Sequence, residues 1–308
     1  MPGPAFTDPL MTSQRFITAD GAFLPLHAWT PKDGKPRAVI LALHGFNDYG
    51  AFFDAPGRYL AGEGIASYSY DQRGFGNGPR RGYWAGVPAY LEDLREVSRL
   101  LRARHPDIPL YLLGESMGGA VILAAMSGDG PPEADGVILA APALWARETM
   151  PVPLRALLWT VTHTVPWFKA TGRGLNVKPS DNIEMLRALG KDPLVIKETR
   201  ADAVWGLTNL MDAAYASAPR FRTNALFLYG AHDELIPRDP TGAFLAARPP
   251  EARRVQTIAL YENGWHMLLR DLEGETVWRD IAAWIAKPSA PLPSGADRMA
   301  AEKHLIGG

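Results

Sequence analysis

The sequence contains no cysteine. This absence excludes disulfides, thiolate nucleophiles and zinc or iron–sulfur sites with cysteine ligands, so covalent catalysis would require another side chain. An excess of charge is also missing, since 32 basic side chains stand against 33 acidic ones and the formal net charge is −1. A nearly neutral protein has no broad electrostatic field that would attract nucleic acid. We therefore expect no nucleic-acid partner.

Long uninterrupted hydrophobic runs are absent as well. The most apolar long stretch, Met150–Phe168, contains Arg155, His163 and three prolines, and it falls short of the roughly 20 apolar residues that span a membrane. It is more typical of an amphipathic surface or cap element, which could contact a membrane surface transiently. The first residues, MPGPAFTDPLMTSQRF, lack a basic segment followed by an apolar one. We therefore expect no signal peptide and a cytoplasmic location, with peripheral membrane association as an addition.

Short apolar segments alternate with helical patterns along much of the chain. Strand-like runs at 14–18 and 23–29 flank an Asp20-Gly21 turn and predict an antiparallel hairpin. Continuous apolar runs are typical of strands buried on both faces. Such runs begin at Ala38, Ile65, Pro109, Gly136, Asn224 and Gln256.

A helix is predicted after Pro88, where Tyr90, Leu94, Val97 and Leu101 share one apolar stripe. Strands and helices that alternate in this way predict a mostly parallel sheet flanked by helices, with right-handed crossovers. In such a sheet, ligands bind beyond the carboxyl ends of the strands.

The alternation stops after Pro142, and from there to Arg220 the sequence shows helical patterns and no strand. The polar segment from Lys287 onwards is rich in Pro, Ser and Gly and is typical of a disordered tail. These patterns divide the chain into four predicted regions: a first part of the core (1–142), a helical cap or lid (143–220), a second part of the core (221–286) and a flexible tail (287–308).

The segment Gly114-Glu115-Ser116-Met117-Gly118 fits the pattern G-x-S-x-G. It follows the apolar strand PLYLLG and precedes the helix-like GAVILAAM, which is the setting of a nucleophile on a sharp strand-to-helix turn. Small flanking glycines let strand and helix approach, and the helix N-terminus favours developing negative charge. The alternative is a glycine-rich connection whose serine merely caps the helix.

A serine hydroxyl is a weak nucleophile and needs a base that is held by a third group. His266, in a loop after the last predicted strand, is the best candidate for the base. Asp233, after the preceding strand, is the best candidate for the orienting carboxylate. His232, Glu234 and Asp71 also follow strand ends and compete for these roles.

An oxyanion would need two backbone donors. The Met117 amide, directly after the nucleophile, is one candidate, and the Phe46 amide, in the turn after the first parallel strand, is the other. Gly45 permits the backbone geometry of that turn. His44 is better explained as a structural hydrogen-bonding residue than as a base.

Five motifs together resemble the α/β-hydrolase superfamily over roughly residues 13 to 286, and within it they are most similar to the monoacylglycerol lipase and lysophospholipase group. These motifs are His44-Gly45-Phe46, Asp71-Gln72-Arg73-Gly74-Phe75-Gly76, Gly114-Glu115-Ser116-Met117-Gly118-Gly119, Gly230-Ala231-His232-Asp233 and Gly264-Trp265-His266-Met267-Leu268. The order of the nucleophile, acid and histidine motifs is the order in the superfamily.

The resemblance implies an α/β-hydrolase fold and an activity on a small-molecule ester or lipid, such as a monoacylglycerol, without a metal or an organic cofactor. Asp71 and Arg73 match a loop that is structural in this group. The implied site consists of a nucleophile, an acid, a base and two oxyanion amides: Ser116, Asp233, His266, Phe46 and Met117.

Substrate contacts are predicted for Phe46, Leu158, Trp159 and Trp265, because the apolar residues of the cap could bury an acyl chain. The same apolar stripe could instead simply pack on the core. Other triad-dependent activities, namely those of an aminopeptidase or a perhydrolase, and a non-catalytic binding protein on the same fold remain alternatives. A haloalkane dehalogenase is disfavoured because Ser116 stands where that reaction needs a carboxylate.

Overall fold

The computed structural model describes residues 2–172 and 177–302. Within these ranges the chain alternates between strands and helices, as predicted. The elements are β1 (Leu10–Met11), β2 (Arg15–Ile17), β3 (Phe23–Trp29), β4 (Ala38–Leu43), α1 (Asp54–Gly62), β5 (Ile65–Tyr70), α2 (Val87–Arg104), β6 (Leu110–Glu115), α3 (Met117–Met126), β7 (Gly136–Ala140), α4 (Val152–Thr164), β8 (Lys169–Thr171), α5 (Ile183–Lys191), β9 (Glu198–Arg200), α6 (Ala201–Tyr215), β10 (Ala225–Gly230), α7 (Arg238–Ala247), β11 (Gln256–Tyr261), α8 (Gly274–Ala286) and α9 (Ala296–Glu302).

A central sheet has the strand order β1-β2-β3-β5-β4-β6-β7-β10-β11. The strands from β5 to β11 in this order are parallel, and β1, β2 and β3 are antiparallel. The predicted hairpin is confirmed, because Ile17 of β2 pairs with Phe23 of β3 across the Asp20-Gly21 turn. The mostly parallel sheet with an antiparallel N-terminal edge confirms the predicted fold class.

Helices cover both faces of the sheet, which is why the parallel strands read as continuous apolar runs. Strands β4, β5, β6, β7 and β10 are buried throughout. On one face the predicted stripe of α2, from Tyr90 to Leu101, is buried beside α3. On the other face α1 and α8 contribute Leu60, Ile281 and Trp284 to a second apolar cluster.

The segment predicted as a helical cap connects β7 to the neighbouring parallel strand β10. The prediction that this segment contains no strand was wrong, because β8 and β9 form an antiparallel pair in which Ala170 lies opposite Thr199. Each strand has three residues and no apolar run (KAT and ETR), so the hydrophobic pattern gives no signal for them.

Burial divides this segment into two parts. No residue of α4 is buried, so the alternative that its apolar stripe packs on the core is excluded. Helix α6 instead packs against α3, with Leu210, Met211 and Ala214 inside the main apolar cluster. The exposed part therefore comprises α4 and α5, while α6 belongs to the layer that covers the sheet.

The prediction of a flexible tail from residue 287 was wrong for the residues that the structure describes. Leu292 and Ala300 are buried, and α9 lies against β11. The Asp280 carboxylate of α8 accepts hydrogen bonds from the Ser294 amide and hydroxyl. This segment is held by small buried alanines and by one buried carboxylate. Its polar composition gives no sign of these contacts, so the sequence pattern indicated disorder. Residues 303–308 lie outside the described residues.

Candidate active site

Four loops at the carboxyl edge of the sheet carry the residues singled out from the sequence. The loop after β4 carries Phe46, the turn after β6 carries Ser116, and the loops after β10 and β11 carry Asp233 and His266. Because β4 neighbours β6 and β10 neighbours β11 in the sheet, the loops lie side by side in pairs. Carboxyl ends of parallel strands are where α/β proteins bind ligands.

Ser116 occupies a strained turn between β6 and α3. Its φ of 52° and ψ of −112° are unfavourable for a residue with a side chain, at a cost of about 1–3 kcal/mol. Three backbone hydrogen bonds hold it: the Ser116 amide donates to Ala140, and the amides of Ala120 and Ala143 donate to the Ser116 carbonyl. Ser116 is half-buried, whereas Glu115 and Met117 beside it are buried, as expected for a nucleophile elbow.

The glycines of the motif are required by close packing. A Cβ on Gly114 would lie 2.4 Å from the Gly118 carbonyl carbon, and a Cβ on Gly118 would lie 2.3 Å from the Leu43 oxygen. Both distances are far below van der Waals contact. Both glycines of G-x-S-x-G are therefore needed because α3 packs closely against β6 and β4.

His266 and Asp233 form a buried pair. The His266 Nδ1 lies 2.9 Å from Asp233 Oδ2, and the two side chains are 5% and 0% exposed. The second carboxylate oxygen, Oδ1, accepts hydrogen bonds from the Leu235 and Ile236 amides, each at 2.9 Å. The carboxylate is thus fixed in position, and its Oδ2 accepts a hydrogen bond from the protonated Nδ1 of His266. In the neutral ring, Nε2 then carries no proton and can act as a base.

The surroundings of His266 favour its charged form. Burial alone would lower its pKa, but the Asp233 charge and hydrogen bond, together with the Glu115 charge, raise the pKa of His266 above the ordinary 6.5 even though Arg270 opposes the shift. An imidazole held in this way gains a proton more readily than an ordinary histidine does, which favours its action as a base.

The structure pairs His266 with Asp233 but does not bond either of them to Ser116. In the described ranges no hydrogen bond joins Ser116 Oγ to His266 Nε2, a geometry that is common in enzymes before substrate binds. The loop after β4 approaches the turn closely, since a Cβ on Gly45 would lie 3.4 Å from Ser116 Cβ. Met117 is the first residue of α3, so its amide has no acceptor within the helix.

The competing candidates have structural partners. The Asp71 carboxylate bonds to the His27 ring and to the Gly50 and Asn77 amides, all within 2.9 Å. Arg73 contacts Asp93 and Asp20, each at 2.7 Å. These contacts support a structural role for this loop.

His44 is also structural, as expected. Its Nδ1 lies 2.7 Å from the Gly45 carbonyl and its Nε2 accepts from the Gln72 amide at 3.0 Å. Complete burial lowers the pKa of His44, so the ring is neutral with the proton on Nδ1.

The two neighbours of Asp233 have partners as well. Glu234 accepts a hydrogen bond from the Lys178 amide at 2.6 Å, and the His232 ring stacks on Trp265. Among the described residues, neither of them forms a hydrogen bond or an ion pair with His266.

The residues predicted to contact substrate lie apart from one another. Phe46 is half-buried and packs edge-on against Phe75 at 5.5 Å. On α4, Leu158 is half-buried and Trp159 is exposed and stacks on His163. The Trp265 ring lies between His232 and the Lys178 ammonium, which is 4.1 Å from the ring centre.

A cleft of about 480 Å³ opens between α1, α5 and α8. Its lining includes Asp48 and Arg270 but not Ser116, Asp233 or His266. No cluster of three or more His, Asp or Glu side chains that could hold a metal ion occurs among the described residues.

Sequence reasoning missed one part of the site. The Arg270 guanidinium contacts Asp48 at 2.7 Å and Glu115 at 2.8 Å, and all three side chains are less than a tenth exposed. The available signal was a charged residue inside each of two apolar motifs, Glu115 before Ser116 and Arg270 after His-Met-Leu-Leu.

Comparison with known proteins gives the family. The model of the family Hydrolase_4, described as serine aminopeptidase, S33, matches residues 34–273. The chain belongs to this family. It is therefore an α/β-hydrolase, in agreement with the fold above.

The relatives of the chain include proteins that are named as glyceride lipases. A monoglyceride lipase from Mus musculus is 25% identical over 93% of this chain and 94% of its own length. A monoacylglycerol lipase from Mycolicibacterium smegmatis is 26% identical over 88% of this chain and 95% of its own length.

A solved structure agrees with these relatives. A soluble variant of the monoglyceride lipase from Saccharomyces cerevisiae, solved with a substrate analogue, superposes with a TM-score of 0.75 over 94% of this chain and 100% of its own, at 20% identity. Together with the family match, the relatives support carboxylic ester hydrolysis as the class of reaction.

Proposed function

We propose that the protein is a serine carboxylic ester hydrolase that cleaves a monoacylglycerol or a similar single-chain ester through an acyl-enzyme on Ser116. The observation that carries this proposal is the buried His266–Asp233 pair at 2.9 Å, on the same edge of the sheet as the strained turn of Ser116. Monoglyceride lipases related to this chain over more than nine-tenths of its length support the choice of substrate.

In the proposed reaction, His266 Nε2 takes the proton of Ser116 Oγ as the oxygen attacks the ester carbonyl carbon. The Met117 and Phe46 amides donate hydrogen bonds to the oxyanion. When the intermediate collapses, the carbon–oxygen bond to the alcohol breaks and His266 returns the proton to the leaving alcohol. Water then repeats the sequence on the acyl-enzyme and releases the acid, while Asp233 holds the imidazole.

For the substrate, we propose that the acyl chain is bound beneath the exposed part of the segment 143–220, which acts as a lid. Phe46 and Leu158 are half-buried, and each methylene that they and their neighbours remove from water contributes about 0.8 kcal/mol. We propose that Trp159 and Trp265 also contact the acyl chain. Because Trp159 is exposed on α4, the lid would have to move to bring this helix towards the sheet edge.

The family description makes aminopeptidase activity the second candidate, because it reads serine aminopeptidase. A panel of monoacylglycerols, lysophospholipids, p-nitrophenyl esters, aminoacyl anilides and peroxide with an organic acid separates the possibilities. We expect kcat/KM for a single-chain ester to exceed that for any anilide at least about 100-fold. Anilide hydrolysis as fast as ester hydrolysis would contradict the proposal.

We also propose that α4 contacts a membrane surface. Leu157 and Trp159 of α4 and Trp167, three residues after its end, are 61%, 55% and 63% exposed. Apolar side chains exposed on a surface helix and beside it favour insertion into the interface of a bilayer. Among the helices in the described ranges, none combines the length and hydropathy of a membrane span.

Replacing Leu157, Trp159 and Trp167 together by Ser should weaken sedimentation with phosphatidylcholine vesicles about 10-fold or more, because each buried side chain contributes about 1.5–3 kcal/mol. The variant Thr160→Ala with Thr164→Ala changes exposed polar positions on the same helix and serves as the control. Equal sedimentation of the triple variant and the control would contradict membrane contact through α4.

A further inference from the structure

Three buried charged side chains meet behind the candidate nucleophile. A single nitrogen of Arg270, Nη2, contacts Asp48 Oδ2 at 2.7 Å and Glu115 Oε1 at 2.8 Å. The three side chains are 9%, 8% and 2% exposed. One guanidinium therefore serves two carboxylates, and all three groups are largely shielded from solvent.

This group joins the three loops on which the proposed mechanism depends. Asp48 lies two residues after Phe46, Glu115 directly precedes Ser116, and Arg270 follows His266 by four residues. A guanidinium is planar, permanently charged and rich in donors, so it fixes the relative position of two carboxylates better than a flexible ammonium does. The loops that supply the oxyanion amide, the nucleophile and the base are tied to one another at this point.

The loop after β4 is held from the opposite side by the lid. The Tyr49 hydroxyl donates to Asp192 at 2.8 Å, and the Asn47 side-chain amide donates to Thr199 at 2.7 Å. The Ile196 amide donates to the Asn47 carbonyl at 2.9 Å. Only the contact from Asp48 to Arg270 ties this loop to the base-bearing loop among the hydrogen bonds and ion pairs of the described residues.

Such a buried group is a poor way to gain stability. Moving charges out of water costs several kcal/mol per ion, and well-packed apolar residues of similar volume are often as stabilising. The group is also incompletely bonded, because Glu115 Oε2 and Arg270 Nε have no hydrogen-bond partner among the described residues. Stability therefore does not account for three charges at this place, whereas control of the geometry of the loops does.

We propose that Arg270 is a positioning residue that, by bridging Asp48 and Glu115, holds the oxyanion loop against the nucleophile turn. The proposal rests on the function proposed above. It also gives Glu115 a role of its own, since this carboxylate is, besides Asp233, a charge that raises the pKa of the base.

The charges around His266 give a second readout, the pH dependence of kcat/KM. Asp233 and Glu115 raise the pKa of His266, whereas Arg270 opposes them. Burial raises the pKa of Glu115, and Arg270 opposes this shift and so favours the charged carboxylate. Asp271, on the same loop, bonds to Ser180 and to the Trp265 amide instead of to His266, and burial raises its pKa to about 6.

The direction of the pH effect follows from these charges. Activity requires neutral His266, so kcat/KM rises as the pH passes upward through the pKa of His266. Removing the Glu115 charge removes one contribution that raises this pKa. Glu115→Gln should therefore move the acidic limb of kcat/KM to lower pH, while Asp48→Asn, which changes the oxyanion side of the bridge, should leave the limb in place.

The test compares Glu115→Gln, Asp48→Asn and Arg270→Lys with the wild type, and Arg279→Met, which removes an exposed ion pair of α8, is the control. Each of the first two variants leaves Arg270 with one carboxylate partner, so both are expected to fold, as checked by thermal unfolding. We expect Asp48→Asn and Arg270→Lys to lower kcat for a p-nitrophenyl ester about 10- to 100-fold with little change in KM, since small displacements of catalytic groups have effects of this size. The control should behave like the wild type.

The rate at which a fluorophosphonate labels Ser116 is measured in parallel, because it reports on the same geometry without depending on the natural substrate. Slower labelling of the Asp48 and Arg270 variants, together with a lower acidic limb for Glu115→Gln, supports the proposal. Labelling and kcat of the Asp48 and Arg270 variants within about twofold of the wild type overturn it, wherever the limb of Glu115→Gln lies. A wild type that hydrolyses no ester and is not labelled instead overturns the proposed function.

Discussion

Replacing Ser116 with Ala is expected to lower kcat for a p-nitrophenyl ester by about 10⁴-fold or more. The proposed acyl-enzyme forms on the Ser116 oxygen, and alanine offers no nucleophile in its place. Water could still attack a bound ester, aided by the oxyanion amides, so a small residual rate is expected.

The structure indicates that this substitution should leave the fold unchanged. Ser116 is held by backbone hydrogen bonds to Ala140, Ala120 and Ala143, and no side-chain hydrogen bond of Ser116 occurs among the described residues. Alanine meets the same backbone cost at a φ of 52°, so the melting temperature should change little. Ser13→Ala, at an exposed position, is the matched control. A Ser116→Ala enzyme that keeps more than about a tenth of the wild-type kcat would contradict the assignment.

Replacing Asp233 with Asn is expected to lower kcat about 10³- to 10⁴-fold. The Oδ1 oxygen of Asp233 accepts from the Leu235 and Ile236 amides, so asparagine would keep its oxygen there and turn its NH₂ group towards His266 Nδ1. That donor would make Nδ1 an acceptor and put the ring proton on Nε2, which could then no longer take the proton of Ser116.

The same substitution removes the largest influence that raises the pKa of His266, namely the Asp233 charge. Any residual activity should therefore have its acidic limb at lower pH than the wild type. Glu234→Gln is the matched control, because Glu234 is exposed and accepts only from the Lys178 amide in the described residues. Asp233→Asn with the rate and the pH profile of this control would show that another group orients His266.

The sequence predicted the elements whose patterns are local. The runs of β4, β5 and β6 are buried on both faces, and the stripe from Tyr90 to Leu101 fills a helix face, so periodicity was sufficient to find them. The spacing of glycines around Ser116 predicted the strand-to-helix turn correctly. At position 118, α3 lies so close to Leu43 that only glycine fits.

Elements that depend on contacts between distant parts of the chain were not predicted from the sequence. Strands β8 and β9 pair through the backbone and carry no apolar pattern. Helix α9 is held by Asp280 through Ser294 and by the fit of Ala300 against β11. Both depend on the fold that surrounds them.

The candidate site shows the same limit. Asp233 and His266 follow strand ends, so topology alone predicted that they meet, and their hydrogen bond agrees with this. Arg270 was missed because its partners Asp48 and Glu115 are 222 and 155 positions away in the sequence, and only the folded sheet brings them together. The catalytic roles of Ser116, Asp233, His266, Phe46 and Met117 stay predictions.

The most direct test is to treat the protein with a fluorophosphonate and to locate the adduct by peptide mass spectrometry. The account predicts one adduct, on Ser116, that disappears in Ser116→Ala and forms much more slowly when His266 is replaced by Ala. An unlabelled wild type, or an adduct on any other residue that persists in Ser116→Ala, would contradict it.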